Sequence, residues 1–188
     1  MGVLFYRKIN SEPPPIFSCE EYVPLLTNLY VGNIEVSTQD DINTLIGYDG
    51  IDGNITFYDN SSLIDISPLE NIKEITGELR FLSDNLPNLT PMTGLRYVGG
   101  NFFIDINSGT VSLNGFCYNL TNINGYLHFY GGSSLQELGP NLMRRLTTVG
   151  GDLLIKLNPG AEVSLNGVFP CLETVVGEIE ISTGQEPS

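Results

Sequence analysis

The residues with chemistry to offer are few and scattered. The chain holds one histidine, His128, and three cysteines, Cys19, Cys117 and Cys171. A catalytic histidine needs an orienting partner and a nucleophile or metal within hydrogen-bond reach. The sequence around His128 supplies aromatic neighbours instead, Tyr126, Phe129 and Tyr130, so His128 reads as a surface or contact histidine. Three distant cysteines fit neither a disulfide scaffold nor a tetrahedral zinc site. Their odd count leaves at least one thiol free or bonded to another chain.

Other polar groups are similarly dispersed. The stretch YDGIDGN, Tyr48 to Asn54, carries two Asp and two Gly but neither the spacing nor the closing Glu of an EF-hand calcium loop. The acidic pairs Glu20-Glu21 and Asp40-Asp41 read as solvated surface. No phosphate loop, Ser-His-Asp set or zinc spacing is present, so neither a cofactor nor a metal is expected. Sequons at Asn54, Asn60, Asn88 and Asn119 are candidate glycosylation sites. A chain this rich in Asn, Ser and Thr also produces such triplets by chance, and Asn54 reads as an exposed strand position.

The bulk charge excludes some partners. Eight Lys and Arg stand against 22 Asp and Glu, a net charge of -14 over 188 residues. Nucleic acid and anionic membranes need clustered positive charge. No apolar run approaches the ~18 residues of a membrane span, so membrane insertion is not expected. The opening MGVLFYRKINSEPPP does not read as a signal peptide, because Arg7 and Lys8 follow the apolar stretch and no small-residue cleavage site appears.

The elements that must position these residues are repeats. A Gly-x-apolar-x-apolar unit begins at Gly32, Gly53, Gly77, Gly100, Gly125, Gly151 and Gly177, at intervals of 21 to 26 residues. Two places after each Gly stand Ile34, Ile55, Leu79, Phe102, Leu127, Leu153 and Ile179. Four places after stand Val36, Phe57, Phe81, Ile104, Phe129, Ile155 and Ile181. Residues two apart on a strand share a face, so each unit is a short strand with one buried side.

Upstream of each Gly, apolar residues recur at spacings of three, as in Leu69, Ile72 and Ile75. Pro and Gly inside these stretches oppose a helix and point to bends between short extended segments. Each repeat is then one coil of a solenoid, and a stack of coils makes the continuous core that one coil cannot. The expected fold is all-β, a β-helix or leucine-rich-repeat-like solenoid of about six to seven coils with a short N-terminal cap. The segments are an arm and Pro-rich spacer over 1–17, a cap over 18–31, the solenoid over 32–182 and a polar tail over 183–188. In the cap, Ser18 reads as a helix N-cap.

The units LENIKEITGELRFL and LRYVGGNFFI resemble the receptor L-domain, the leucine-rich β-helix of epidermal growth factor and insulin receptors. Similar repeats occur in fungal cell-wall proteins. The resemblance spans roughly Cys19 to Ser182. It implies a right-handed solenoid, recognition through a sheet face, and no catalysis. The paired cysteines that staple the ends of the receptor domain are missing here.

Outward positions three and five after each Gly assemble the candidate binding face: Tyr58, Arg80, Leu82, Phe103, His128, Tyr130, Leu154 and Lys156, with Tyr126 beside them. A contiguous apolar-aromatic patch often marks a contact surface. Cys117 falls in the apolar column of Met92 and Met143, as a buried free thiol. Cys171 lies two coil spacings on, ~9.6 Å away and beyond disulfide reach, so disulfides within the chain are not expected.

The expected function is a non-catalytic module that binds a protein or glycan partner through this face. The alternative is a structural subunit of a virion or cell wall, held by the strand-like arm Val3–Ile9 and an open C-terminal edge. A polysaccharide-cleaving β-helix enzyme is disfavoured, because the outward face mixes single charges with aromatics instead of clustering carboxylates. The compartment is open between the cell surface or extracellular space and a virion.

Overall fold

The computed structural model describes residues 25–58, 65–82, 90–106, 113–132, 138–139, 141–157 and 167–183. The arm Val3–Ile9, the spacer Pro13 to Pro15, Ser18, Cys19, the pair Glu20-Glu21, the sequons Asn60 and Asn88, and the tail 184–188 lie outside the described residues.

The chain is a parallel β-solenoid with two sheets of seven strands each. The first sheet holds β1 (Leu29–Val31), β3 (Gly50–Asp52), β5 (Glu74–Ile75), β7 (Tyr97–Val98), β9 (Asn122–Ile123), β11 (Thr148–Val149) and β13 (Thr174–Val175). The second holds β2 (Ile34–Val36), β4 (Ile55–Phe57), β6 (Leu79–Leu82), β8 (Phe102–Ile106), β10 (Leu127–Gly131), β12 (Leu153–Leu157) and β14 (Ile179–Thr183). Every strand pairs in parallel with its equivalent one coil away, so sequence order becomes stacking order.

The repeat glycines form the corner between the sheets, and they hydrogen-bond to each other. Gly77 N–H donates to Gly53 O at 3.0 Å, Gly100 to Gly77 at 2.8 Å, Gly125 to Gly100 at 3.0 Å, Gly151 to Gly125 at 2.9 Å and Gly177 to Gly151 at 3.0 Å. A Cβ on Gly100 would sit 2.8 Å from the carbonyl carbon of Gly77, closer than side chains approach backbone. Glycine is therefore required here by close approach, not by turn geometry.

A second ladder lies one residue further on. Asn54 N–H donates to Asn33 Oδ1 at 2.9 Å, Glu78 N–H to Asn54 Oδ1 at 2.7 Å, Tyr126 N–H to Asn101 Oδ1 at 3.2 Å and Glu178 N–H to Asp152 Oδ1 at 2.9 Å. These side chains satisfy corner amides that would otherwise lack a partner. Asn54 is exposed, as read from the sequence, and is also a structural acceptor at the corner beside β4.

The core is one column of stacked apolar layers. Of the fourteen alternating positions after the glycines, the twelve in the first six units are buried. Ile179 and Ile181 are not, at 62% and 47% exposed, because β14 ends the stack and no described strand covers it. Phe57 stacks on Phe81 at 4.5 Å between centroids, and Phe116 meets Phe81 edge-on at 5.7 Å. Such pairs add to the burial term.

The third side of each coil is turns and single 3-10 segments, Ser67–Leu69 and Thr90–Gly94, which place the residues at spacings of three against the core. Cys117, Met143 and Phe169 occupy one column with φ of 47, 42 and 51 degrees. Each left-handed residue costs about 1 kcal/mol or more, offset by seating its side chain in or against the core. One short helix, α1 (Gln39–Asn43), was not expected. Thr38 caps it and Asp41 completes a capping box, its carboxylate accepting from Ser37 N–H at 3.0 Å and Thr38 N–H at 2.8 Å. The Thr38-x-x-Asp41 spacing was the available signal. Asp40 is exposed and Asp41 partly so, as their surface reading had it, and Asp41 has the added role of a cap.

The first coil is pinned by Asp49. Its carboxylate accepts from Asn28 N–H at 2.9 Å, Thr27 N–H at 2.9 Å and Thr27 Oγ1 at 2.8 Å, with Lys73 Nζ at 3.5 Å. The Asn28 and Thr27 bonds and the Lys73 charge outweigh desolvation and hold its pKa down to about 2.

Two outcomes check this architecture by urea unfolding. Phe81→Ala should cost ~3–5 kcal/mol through a core cavity. Gly100→Ala should cost ~1–3 kcal/mol by forcing coils apart. A third concerns pH. The Asp49 pKa is depressed from its unfolded value of ~3.9, so its stabilisation is present above pH ~4 and lost as pH falls toward about 2. Wild type should exceed Asp49→Asn in Tm at pH 6, with the gap closing toward pH 2.

Candidate functional site

The second sheet sets the register of the outward side chains. Arg80 pairs with Phe103, Phe103 with His128, His128 with Leu154, and Leu154 with Glu180. A parallel row two residues on runs Leu82, Asp105, Tyr130, Lys156 and Ser182. Neighbouring strands lie ~4.8 Å apart, so side chains in one row touch.

The rings form a connected array. The Arg80 guanidinium lies 5.3 Å from the Phe103 ring centroid. Phe103 meets Tyr130 at 5.5 Å with a tilt of 38 degrees. His128 stacks on Tyr126 at 3.9 Å and 23 degrees, and meets Tyr130 edge-on at 6.4 Å. All five are partly buried, because they cover one another as well as the sheet. Leu82, Leu154 and Lys156 flank the array and are also partly buried. Tyr58 lies in the Leu82 row and is 41% exposed, and among the described residues no ring contact ties it to the array.

A polar margin runs along the corner side. Glu78 Oε2 lies 3.9 Å from Arg80, and Glu78 Oε1 lies 3.4 Å from Asn101 Nδ2 and 3.5 Å from Tyr126 Oη. Glu78, Asn101 and Asp152 were absent from the sequence-derived face. Their signal was the recurring Asn, Asp or Glu one residue after the repeat glycine.

Titration follows from this packing. Burial pushes the His128 pKa down, Lys156 pushes the same way, and Asp152 opposes them. The imidazole is therefore neutral at neutral pH. Burial first, and then the Glu78 charge, push the Tyr126 phenol up. His128 thus stacks as a neutral ring beside a protonated phenol, which suits contact with a flat or apolar ligand surface. Among the described residues no group of three or more His, Cys, Asp or Glu is placed to hold a metal ion.

The remaining residues with chemistry lie elsewhere. Cys117 is buried and free, and burial raises its thiol pKa well above the ordinary value. Cys171 is disulfide-bonded, which corrects the expectation of a chain without disulfides. The coil-spacing reasoning covers cysteines held on the ladder, and the partner of Cys171 lies outside the described residues. Of the described sequons, Asn54 is exposed with its Oδ1 engaged, and Asn119 donates its Nδ2 to Thr93 O at 2.8 Å.

No family model, curated protein or solved structure matches this chain.

His128 is the chain's one histidine, so NMR titration reads it without ambiguity. Its midpoint should fall below the ordinary ~6.5. Lys156→Met should raise it and Asp152→Asn should lower it further. A midpoint above 6.5, or no response to either change, would contradict the packing described.

Proposed function

We propose that the chain is a non-catalytic recognition module that binds a protein or glycan through the outer face of its second sheet. The observation that carries this reading is the connected array of Arg80, Phe103, Tyr126, His128 and Tyr130 on adjacent strands. Aromatic and Arg side chains dominate binding hot spots because they offer large contact area with few rotatable bonds. A rigid solenoid holds them at fixed spacing, which lowers the ordering cost of association.

The surrounding chemistry supports the same class. Glu78, Asp105 and Asp152 around the rings supply acceptors at the margin of an apolar centre, the usual anatomy of a recognition patch. The disulfide at Cys171 supports an oxidising compartment, which agrees with a cell-surface or secreted setting. The likeness to receptor L-domains points to binding through a sheet face as well.

A second reading is a structural subunit of a larger assembly. The exposed Ile179 and Ile181 on the terminal strand favour it, because an uncovered sheet edge templates further pairing.

The test uses the full chain and the Phe103→Asp/Tyr130→Asp variant on a glycan array and a panel of extracellular proteins. Circular dichroism checks that both are folded. A ligand bound by wild type and lost at least tenfold by the variant supports the proposal. Equal binding, or no ligand on either panel, counts against it.

A further inference from the structure

Beside the ring array stand two carboxylates that no cation neutralises. Asp152 and Glu178 follow Tyr126 in the column one residue after the repeat glycines. Leu127 pairs with Leu153, and Leu153 with Ile179, so the three stand on successive coils ~4.8 Å apart. Asp152 and Glu178 are exposed, and Glu178 N–H donates to Asp152 Oδ1 at 2.9 Å, which fixes one against the other. Asp152 is also close enough to His128 for its charge to act on the imidazole.

The outward rows of the second sheet contain two cations, Arg80 and Lys156, and each is engaged by another residue. Arg80 Nη1 lies 3.9 Å from Glu78 Oε2, with the guanidinium over Phe103. Lys156 Nζ lies 3.9 Å from Glu180 Oε1. Among the described residues, neither Asp152 nor Glu178 joins an ion pair.

An acidic pair alone would be solvated surface. Here it borders stacked rings, Tyr126 on His128 at 3.9 Å, that are themselves partly exposed. Resting on the recognition reading above, we propose that the partner is a protein segment presenting Lys or Arg. One such side chain lays its apolar stem on Tyr126 and His128 and sets its charged head at Asp152 and Glu178.

The fold contains its own copy of this contact. Arg80 lies 5.3 Å from the centroid of the Phe103 ring and beside the Glu78 carboxylate, a cation held by a ring and an acid on the same face. Lys and Arg carry an apolar stem and a cationic head, which match the rings and the carboxylates in turn. Phe103 extends the rings one strand beyond the site, room that a polypeptide fills and a lone cation does not.

Other occupants fit less well. A second copy of the chain would set these carboxylates against their like, and the net charge of -14 adds to the repulsion. An anionic glycan meets the same repulsion. A neutral glycan would gain hydrogen bonds from the carboxylates but nothing from their charge.

The test uses the full chain on an array of synthetic peptides of uniform length and randomised composition. Bound peptides should be enriched in Lys or Arg, and the tightest is then measured by fluorescence polarisation. Asp152→Asn/Glu178→Gln should weaken it about fivefold or more at low salt, with the gap shrinking in ~0.5 M NaCl. Asn keeps the Oδ1 that Glu178 N–H needs, so the coil contact is retained. Tyr126→Asp/His128→Asp separates this contact from bulk attraction. It removes the rings while adding negative charge, so a merely acidic surface would bind the peptide more tightly and the proposed site less tightly. Circular dichroism checks folding, and His128→Asp alone gives the same comparison if the double variant does not fold. No bound peptide, no Lys or Arg enrichment, unchanged affinity in Asp152→Asn/Glu178→Gln, or tighter binding by the ring variant would overturn the proposal. A neutral ligand lost on Phe103→Asp/Tyr130→Asp but indifferent to Asp152→Asn/Glu178→Gln would overturn it too, and would leave the aromatic face standing as the binding surface.

Discussion

The contact on which everything else rests is the approach of one glycine to the glycine a coil below. From Gly77 to Gly177 each repeat glycine's N–H donates to the carbonyl of the repeat glycine one coil before it, at 2.8 to 3.0 Å. No other side chain leaves room for that bond. Once the corner is this tight, the strands on both sides of it can pair only with their equivalents. The register of two seven-stranded sheets follows from one column of residues without side chains.

That register makes the face. Arg80, Phe103 and His128 are far apart in sequence, on strands separated by loops of differing length, yet they stack in one row because each sits three residues after a repeat glycine. The polar ladder of Asn33, Asn54, Asn101 and Asp152 holds the same corner from the side. One of its members, Asn101, also contacts Glu78 at the margin of the rings. Fold and face thus share residues. Changes in the corner ladder are expected to disturb both, whereas changes in the outward rings can spare the fold.

Much of this was legible in the sequence, and for a physical reason. Period-two burial and a fixed glycine column are local signals, repeated seven times, so chance deviations in one unit do not hide them. The solenoid, its apolar columns and the buried thiol of Cys117 could be read directly. The parts that escaped are those where a residue's role depends on what stacks above it. Asn54 reads as surface, which it is, but its acceptor role shows only when Glu78 is placed one coil above it. The left-handed conformations of Cys117, Met143 and Phe169 carry no composition signal, because burial rather than backbone preference fixes them. The rings of the face stand in the register that their spacing implies, and cross-strand stacking partly covers them. Asp41 and the helix it caps belong to a single coil, so the repeat could not announce them.

The most direct measurement is the set of cross-strand nuclear Overhauser effects around the single histidine. In-register parallel pairing places His128 between Phe103 and Leu154, with its ring on Tyr126. Cross-peaks from His128 to all three would establish the register that the glycine column imposes and the array it builds. Cross-peaks from His128 to Leu82 or Ser182, each two strands away, would mean that the coils are stacked differently and that the face does not exist as described.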